Sequence, residues 1–207
     1  MSRVEIRRLL RGSRLLGLTL ARRPAQIRHL RAYARSRGRS LLEQRTPWLA
    51  FDLIGWLREV VGPDTSVFEF GGGGSTAWFA DRGASVVTVE HDADWAAKLR
   101  ATLGALDTVS VLEAGSADGF SGYTSSIDSY PDSSFDLVLV DGRSRVECVR
   151  HAMSKVRPGG HIVLDDSERA KYSQAFTVLQ GWTCRRFDGL APGKPNAAHS
   201  TAWQRPS

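Results

Sequence analysis

Two groups of residues have types and spacings suited to chemistry, and each asks for a different kind of ligand. The first is FEFGGGGST, residues 68 to 76, where Glu69 stands two residues before Gly71 and Ser75 and Thr76 follow Gly74. Consecutive glycines let the backbone adopt positive φ and let a ligand approach without meeting a Cβ. Glu90 follows 19 residues after Gly71, where a carboxylate at a strand end can accept both hydroxyls of a ribose. Together these residues describe a nucleoside site. NAD enzymes share a glycine loop followed by an acid, and a G-x-G-x-x-G reading from Gly71 and Gly73 puts Thr76 in the third place. Glu69 separates the two cases, because an acid inside the strand repels a pyrophosphate but suits a cationic sulfonium cofactor with an ammonium group. The plainer alternative is a tight turn, with Glu90 as a solvated strand end.

The second group is acidic. Asp141 lies in VDG at 140 to 142, and Asp165 and Asp166 lie in LDDSER at 164 to 169. Three carboxylates at the ends of neighbouring strands repel one another unless a cation sits among them, and magnesium is the expected partner for hard oxygen ligands. On this reading Asp141, Asp165 and Asp166 hold the metal, and Asp141 and Asp166 are catalytic. The competing reading makes Asp165 a helix cap, Asp166 a partner for a loop amide and Asp141 a contact to cofactor or substrate. Without a metal, the base is sought among Asp141, Glu168 and His199. His161 begins the fifth strand and is therefore expected a strand length from the site.

These residues need a scaffold that brings strand ends together. From residue 65 the chain alternates between short β-branched runs and helical segments. The runs are SVFEF (66 to 70), SVVTVE (85 to 90), VSVLEA (109 to 114), FDLVLVD (135 to 141) and HIVLDD (161 to 166). Such runs suit buried parallel strands, and helices are expected over 74 to 83, 92 to 104, 144 to 156 and 169 to 180. The alternation predicts an α/β fold, a doubly wound and mostly parallel sheet with right-handed crossovers. TCRRFDGL and HSTAWQR have only APGKPNAA between them, so they predict an antiparallel pair at the sheet's edge, for seven strands in all. Upstream, Thr46 and Pro47 signal a helix start, with Leu49, Leu53, Trp56, Leu57 and Val60 at helical spacing.

VFEFGGGGST, VTVEHD, FDLVLVDG and RPGGHIVLDD, with the terminal strand pair, resemble the class I S-adenosylmethionine-dependent methyltransferases over about residues 47 to 207. The resemblance implies a Rossmann-like fold and S-adenosylmethionine as cofactor. It implies that Glu69 and Gly71, Gly72 and Gly73 hold the methionine part, Glu90 the ribose, and His91 flanks the adenine with Ser116 or Asp118 near its edge. Ser75 stands where many members have a third glycine, and its hydroxyl is available to the cofactor carboxylate. Several small-molecule O-methyltransferases are similar in the acidic motifs, which implies that magnesium orients a substrate hydroxyl and lowers its pKa. Asp141 then also borders the cofactor. The loops at 116 to 134 and 188 to 200 are rich in hydroxyl, amide and aromatic groups, which suits a small polar hydroxylated acceptor such as a carbohydrate.

The net charge of +6 invites a nucleic-acid partner, but the charge is unevenly placed. Residues 1 to 46 carry 13 Arg and 2 Glu, for +11, whereas the rest of the chain sums to −5. The division predicts a basic helical arm over 1 to 46, helical over about 3 to 20 and again from Pro24, with RSRGRS at 35 to 40 as a linker. A methyltransferase domain then fills 47 to 207. The arm is suited to a homodimer contact, an anionic surface or RNA phosphates. The RNA reading is weakened because VDGR replaces the N-P-P-[YF]-like motif of many base-methylating enzymes, and neither cysteine lies in a catalytic context. A non-catalytic cofactor-binding module docked on a membrane is the remaining rival, and the intact glycine loop, Glu90 and acidic cluster argue against it. Cys148 and Cys184 lack paired spacing, so reduced thiols in a cytoplasmic protein are expected. No apolar stretch reaches membrane-spanning length. LLGLTLA at 15 to 21 is only weakly like a signal sequence, and an organellar transit peptide also fits the Arg-rich start.

Overall fold

Val, Ile, Leu and Phe runs too apolar to alternate must be covered on both faces, and the computed structural model shows how. It describes residues 3–38 and 40–207, with side chains left out for 3–11 and Pro195. Strands β1 (Ser66–Phe70), β2 (Ser85–Glu90), β3 (Val109–Glu113), β4 (Phe135–Val140), β5 (Val156–Asp165), β6 (Thr183–Ala191) and β7 (Lys194–Gln204) form one sheet in the order β3-β2-β1-β4-β5-β7-β6. The first five are parallel, and β7 runs antiparallel to both neighbours. The seven strands, the doubly wound order and the terminal hairpin are those expected from the sequence.

Helices α1 (Arg3–Arg22), α2 (Leu30–Arg35), α3 (Phe51–Val60), α4 (Gly74–Ala80), α5 (Ala93–Leu103), α6 (Ser121–Ser125), α7 (Arg145–Ala152) and α8 (Gln174–Val178) complete the described elements, with short 3-10 turns between some of them. Adjacent strand residues serve opposite faces. Val67, Leu139 and Val163 pack under Leu53 and Leu57 of α3 and Phe79 of α4. Phe68, Val138, Val140 and Leu164 pack on the other side against Tyr123 of α6, Val149 of α7 and Ala175 of α8. Each fully buried Leu or Phe contributes roughly 1.5–3 kcal/mol, so both faces are needed to hold the strand ends in register.

Several local expectations are corrected. The helix expected from Pro47 begins at Phe51, because Thr46 closes a turn instead, with its N–H on Leu41 O and its hydroxyl on Gln44 O. The segment from Pro24 is a 3-10 turn to His29 before α2 begins. β5 starts five residues before His161, at Val156, and passes through a register shift opposite Phe135 and Leu137. The 116 to 134 loop contains α6, which buries Tyr123 in the core rather than presenting it to an acceptor. APGKPNAA is mostly strand, with only Pro192 and Gly193 left to turn the hairpin.

The arm lies on the body rather than apart from it. Gln26 spans the two, donating to Asp52 Oδ2 at 2.7 Å and accepting from the Leu190 N–H at 2.9 Å. Ser36, in the middle of the expected linker, is buried and accepts from the Gly193 N–H at 3.0 Å. Arg45 forks onto Asp81 at 2.6 and 2.7 Å. Cys148 is buried, Cys184 is exposed, and both are free thiols. Among the described residues no helix is long and apolar enough to cross a membrane.

Candidate active site

The strand order reverses between β1 and β4, where an open α/β sheet leaves a crevice beyond its carboxyl ends. The four glycines enter this crevice and serve separate purposes. Gly71 has φ +92°, and a Cβ there would come within 2.8 Å of Gly142 Cα on the neighbouring strand end. Gly72 is pressed against Thr88 and Leu99, and its carbonyl accepts the Trp95 indole N–H at 2.8 Å. Gly74 faces the arm, where a Cβ would lie 2.6 Å from Leu41 O and would also strike the Thr46 carbonyl. Only at Gly73 does a Cβ position look into space free of atoms to 4 Å. All four glycines line the cavity, but of these Gly73 is the one whose Cβ position is open, whereas a Cβ at Gly71, Gly72 or Gly74 would meet protein.

Glu69 sits behind this loop. It is fully buried and does not line the cavity. The Thr76 hydroxyl donates to Glu69 Oε2 and accepts from the Gly73 N–H at 2.9 Å, so the acid fixes the loop through Thr76. Desolvation pushes the Glu69 carboxyl up to about 7, opposed by the hydroxyls of Ser75, Thr76 and Thr88. Among the described residues Oε1 has no hydrogen-bond partner. A sulfonium or ammonium group beside Glu69 thus gains less from its charge than the sequence argument assumed.

Glu90, at the end of β2, does line the cavity. Its Oε1 accepts the N–H groups of His91 and Asp92 at 2.8 and 3.1 Å, which fixes the carboxylate and leaves Oε2 for a ligand. His91 Nε2 accepts from Arg143 Nε at 3.2 Å, placing the neutral ring's proton on Nδ1. Nδ1 lies 2.6 Å from Glu90 Oε1, an ion-pair distance but not hydrogen-bond geometry. The His91 ring meets Phe120 and Tyr123 at 5.7 and 6.2 Å, an aromatic group beside the acid. Burial drives the Tyr123 phenol far up, so it stays protonated. Ser75 also lines the cavity, whereas Thr76, Ser116 and Asp118 do not. Asp118 Oδ2 is taken by Ser121 Oγ and the Gly122 N–H, so the residue caps α6.

The cavity measures about 690 Å³ and runs from Glu90 and Trp95 past the glycines to Asp141, Arg145 and Gly193. That is within the range of small-molecule sites. Its outer wall is Ser36, Arg37, Gly38, Ser40, Leu41 and Leu42 of the arm, together with Trp48. Sequence reading missed this wall, since nothing in RSRGRS marks a residue as packed. It also missed Arg145, for which the only signal was a pair of arginines, Arg143 and Arg145, closely following VDG.

Asp141, Asp165 and Asp166 do converge, with one carboxylate oxygen from each within 4.8 Å of the others. The cation that such a cluster needs is supplied by the chain. Arg145 Nη2 is 2.9 Å from Asp141 Oδ1 and Nη1 is 3.3 Å from Asp166 Oδ2. Arg169 lies 2.9 Å from Asp166 Oδ2, and Lys194 3.7 Å from Asp165 Oδ2. Ser200 donates to Asp165 Oδ1 at 2.7 Å, so Asp165 is held by strand β7 rather than capping a helix. Burial and then Asp165 raise the Asp141 carboxyl well above the usual range, against Arg145 and Lys194. With its oxygens already paired to two guanidinium groups and an ammonium, the cluster is a poor fit for magnesium. Asp166 lies outside the cavity lining, as do His199 and Glu168. His199 pairs with Asp188 at 2.7 Å in a separate pocket.

A family model described as a methyltransferase domain matches residues 68–167, the span from the glycine loop to the end of the acidic cluster. No curated protein matches the chain. Among solved structures, a methyltransferase-like protein from Silicibacter pomeroyi is 24% identical, with a TM-score of 0.53 over 74% of this chain and 86% of that one. A precorrin-6y C5,15-methyltransferase from Geobacter metallireducens is 18% identical, with a TM-score of 0.52 and the same coverage. An rRNA methylase from Streptococcus thermophilus is 12% identical, with a TM-score of 0.56 over 74% and 93%. At these identities the likeness is one of fold, and it reaches proteins acting on different acceptors. The chain shares the fold of these methyltransferases, and its residues 68–167 match the methyltransferase-domain model.

Proposed function

We propose that the protein is an S-adenosylmethionine-dependent methyltransferase acting on a hydroxyl of a small polar acceptor, with carbohydrates the first class to test. The observation that carries this reading is the single cavity joining Gly73 and Glu90 at one end to Asp141 at the other. The bound cofactor supplies an electrophilic methyl group. The protein's residues do the rest. Glu90 Oε2 receives the ribose hydroxyls, and the open face at Gly73 receives the methionine part. His91 stands against the base. Asp141, at the end of β4, faces the acceptor half of the cavity, and its raised pKa makes it a stronger base than an ordinary carboxylate. It takes the proton from the acceptor hydroxyl as the oxygen attacks, while the arm wall and Trp48 hold the acceptor in line and keep water out. No step is routed through a divalent cation, because Arg145, Arg169 and Lys194 already occupy the carboxylate oxygens of the cluster.

Calorimetry with S-adenosylhomocysteine, followed by product profiling with methyl-labelled cofactor and a panel of sugars, tests the reading. Binding of the homocysteine compound and label in an ether product are expected. Binding of NAD with none of the homocysteine compound would refute it.

A further inference from the structure

We infer that Arg145 is the resident cation of the Asp141, Asp165 and Asp166 cluster, fixing Asp141 toward the cavity and occupying the ground a divalent metal would need. What Asp141 does once fixed rests on the methyltransferase reading above. The charge arrangement stands apart from it.

Arg145 opens α7 directly after Ser144, whose φ of 44° folds the chain back over the strand ends. The guanidinium is buried, yet its donors are engaged on every side. Nε donates to Gly142 O at 3.1 Å, Nη2 to Asp141 O at 3.0 Å and Oδ1 at 2.9 Å, and Nη1 to the main-chain carbonyl of Asp165. Nη1 also faces Asp166 Oδ2 at 3.3 Å. The Tyr172 ring covers it, 5.2 Å from the guanidinium carbon. One side chain thus ties the main chain after β4 to the main chain at the end of β5 and pairs with a carboxylate from each. A flexible ammonium cannot reproduce this fork.

The arrangement also competes directly with a metal. Magnesium on Asp141 Oδ1 and Asp166 Oδ2 would sit about 2.1 Å from each oxygen, and those oxygens already lie 2.9 and 3.3 Å from the guanidinium. Lys194 and Arg169 add two more positive charges on Asp165 and Asp166. Three carboxylates therefore meet three cations of the chain. Arg145 is a positioning residue, acting on the reaction through Asp141.

Two measurements on the full chain test this. Manganese(II) titration of the wild-type protein, followed by electron paramagnetic resonance, should show no saturable site. A stoichiometric site that is lost in Asp165→Asn would overturn the inference. The second measurement is a double-mutant cycle in urea with Arg145→Met and Asp141→Asn, in which the two changes should couple by roughly tenfold in the unfolding equilibrium. Strict additivity would show that Arg145 does not hold Asp141. Arg145→Lys replaces Arg145→Met in the cycle if the latter does not fold, and the titration needs no variant. S-adenosylhomocysteine calorimetry on the same sample, before and after chelation, should give equal affinities. Its failure to bind at all would remove the methyltransferase reading while leaving the charge arrangement to be judged by the other two results.

Discussion

Replacing Glu69 by glutamine removes a charge that the fold holds at a cost, and the cost follows from burial. The carboxyl has no exposed surface and is raised from 4.5 to about 7, first by desolvation. Between those values the folded protein keeps a proton that the unfolded chain has released. Stability from this group is therefore fully present below about pH 4.5, falls as pH rises through the window and is level again above about 7. A shift of about 2.5 units at about 1.4 kcal/mol per unit corresponds to ~3 kcal/mol. Glutamine has nearly the same shape, accepts the Thr76 hydroxyl through its amide oxygen and does not ionise. Urea unfolding of both proteins across this range should give similar stabilities at the acid end. Near pH 8 the variant should be more stable by up to about 3 kcal/mol, or roughly 6–12 °C in Tm. Asp141 is raised as well, but it is present in both proteins and cancels in the difference. Parallel stability curves would show that the Glu69 carboxyl titrates alike in the folded and unfolded protein and that the loop's hydroxyls offset the cost of its burial.

Glu90→Ala should weaken S-adenosylhomocysteine binding by about 1–3 kcal/mol through lost charged hydrogen bonds, measured by calorimetry with Tm as the control. Gly73→Ala should leave Tm nearly unchanged but weaken the same binding, since its Cβ enters open cavity space. Gly74→Ala should instead cost about 1–3 kcal/mol of stability by overpacking against the Leu41 and Thr46 carbonyls, read by urea unfolding. Equal effects of the two glycine changes would refute this division of the loop. Removal of residues 1–40 should lower both Tm and cofactor affinity, because Gln26 and Ser36 bond the body and Ser36, Arg37, Gly38 and Ser40 wall the cavity. Unchanged affinity in the truncated protein would show the wall to be dispensable.

The parallel sheet was legible because buried strands require long apolar runs and the helices between them carry little competing signal. Glu90 and Asp141 were legible for a related reason: each ends a strand, and the strand order decides which ends meet. What escaped was set by tertiary contact rather than local pattern. Glu69 lies one residue from the strand's end and points behind the loop, a direction the spacing leaves open. The acidic cluster was located correctly, but its neutralising groups come from α7, the loop after β5 and β7, and no motif links Arg145, Arg169 and Lys194. RSRGRS has a linker's composition, yet Ser36 and the turn after it are held by Gly193 and Gln44. The 116 to 134 loop was expected at the acceptor because it is polar, whereas α6 turns its Tyr123 ring inward.

The fourth glycine carries a consequence for descent. Gly74 leaves no room for a Cβ beside two carbonyls of the arm, so the freedom of that position to change is tied to a segment some thirty residues upstream. A relative that lost the arm would be released to place alanine or serine there without harming its cofactor loop. One that kept the arm would not. Glycine at this one position is therefore expected to travel with a docked arm.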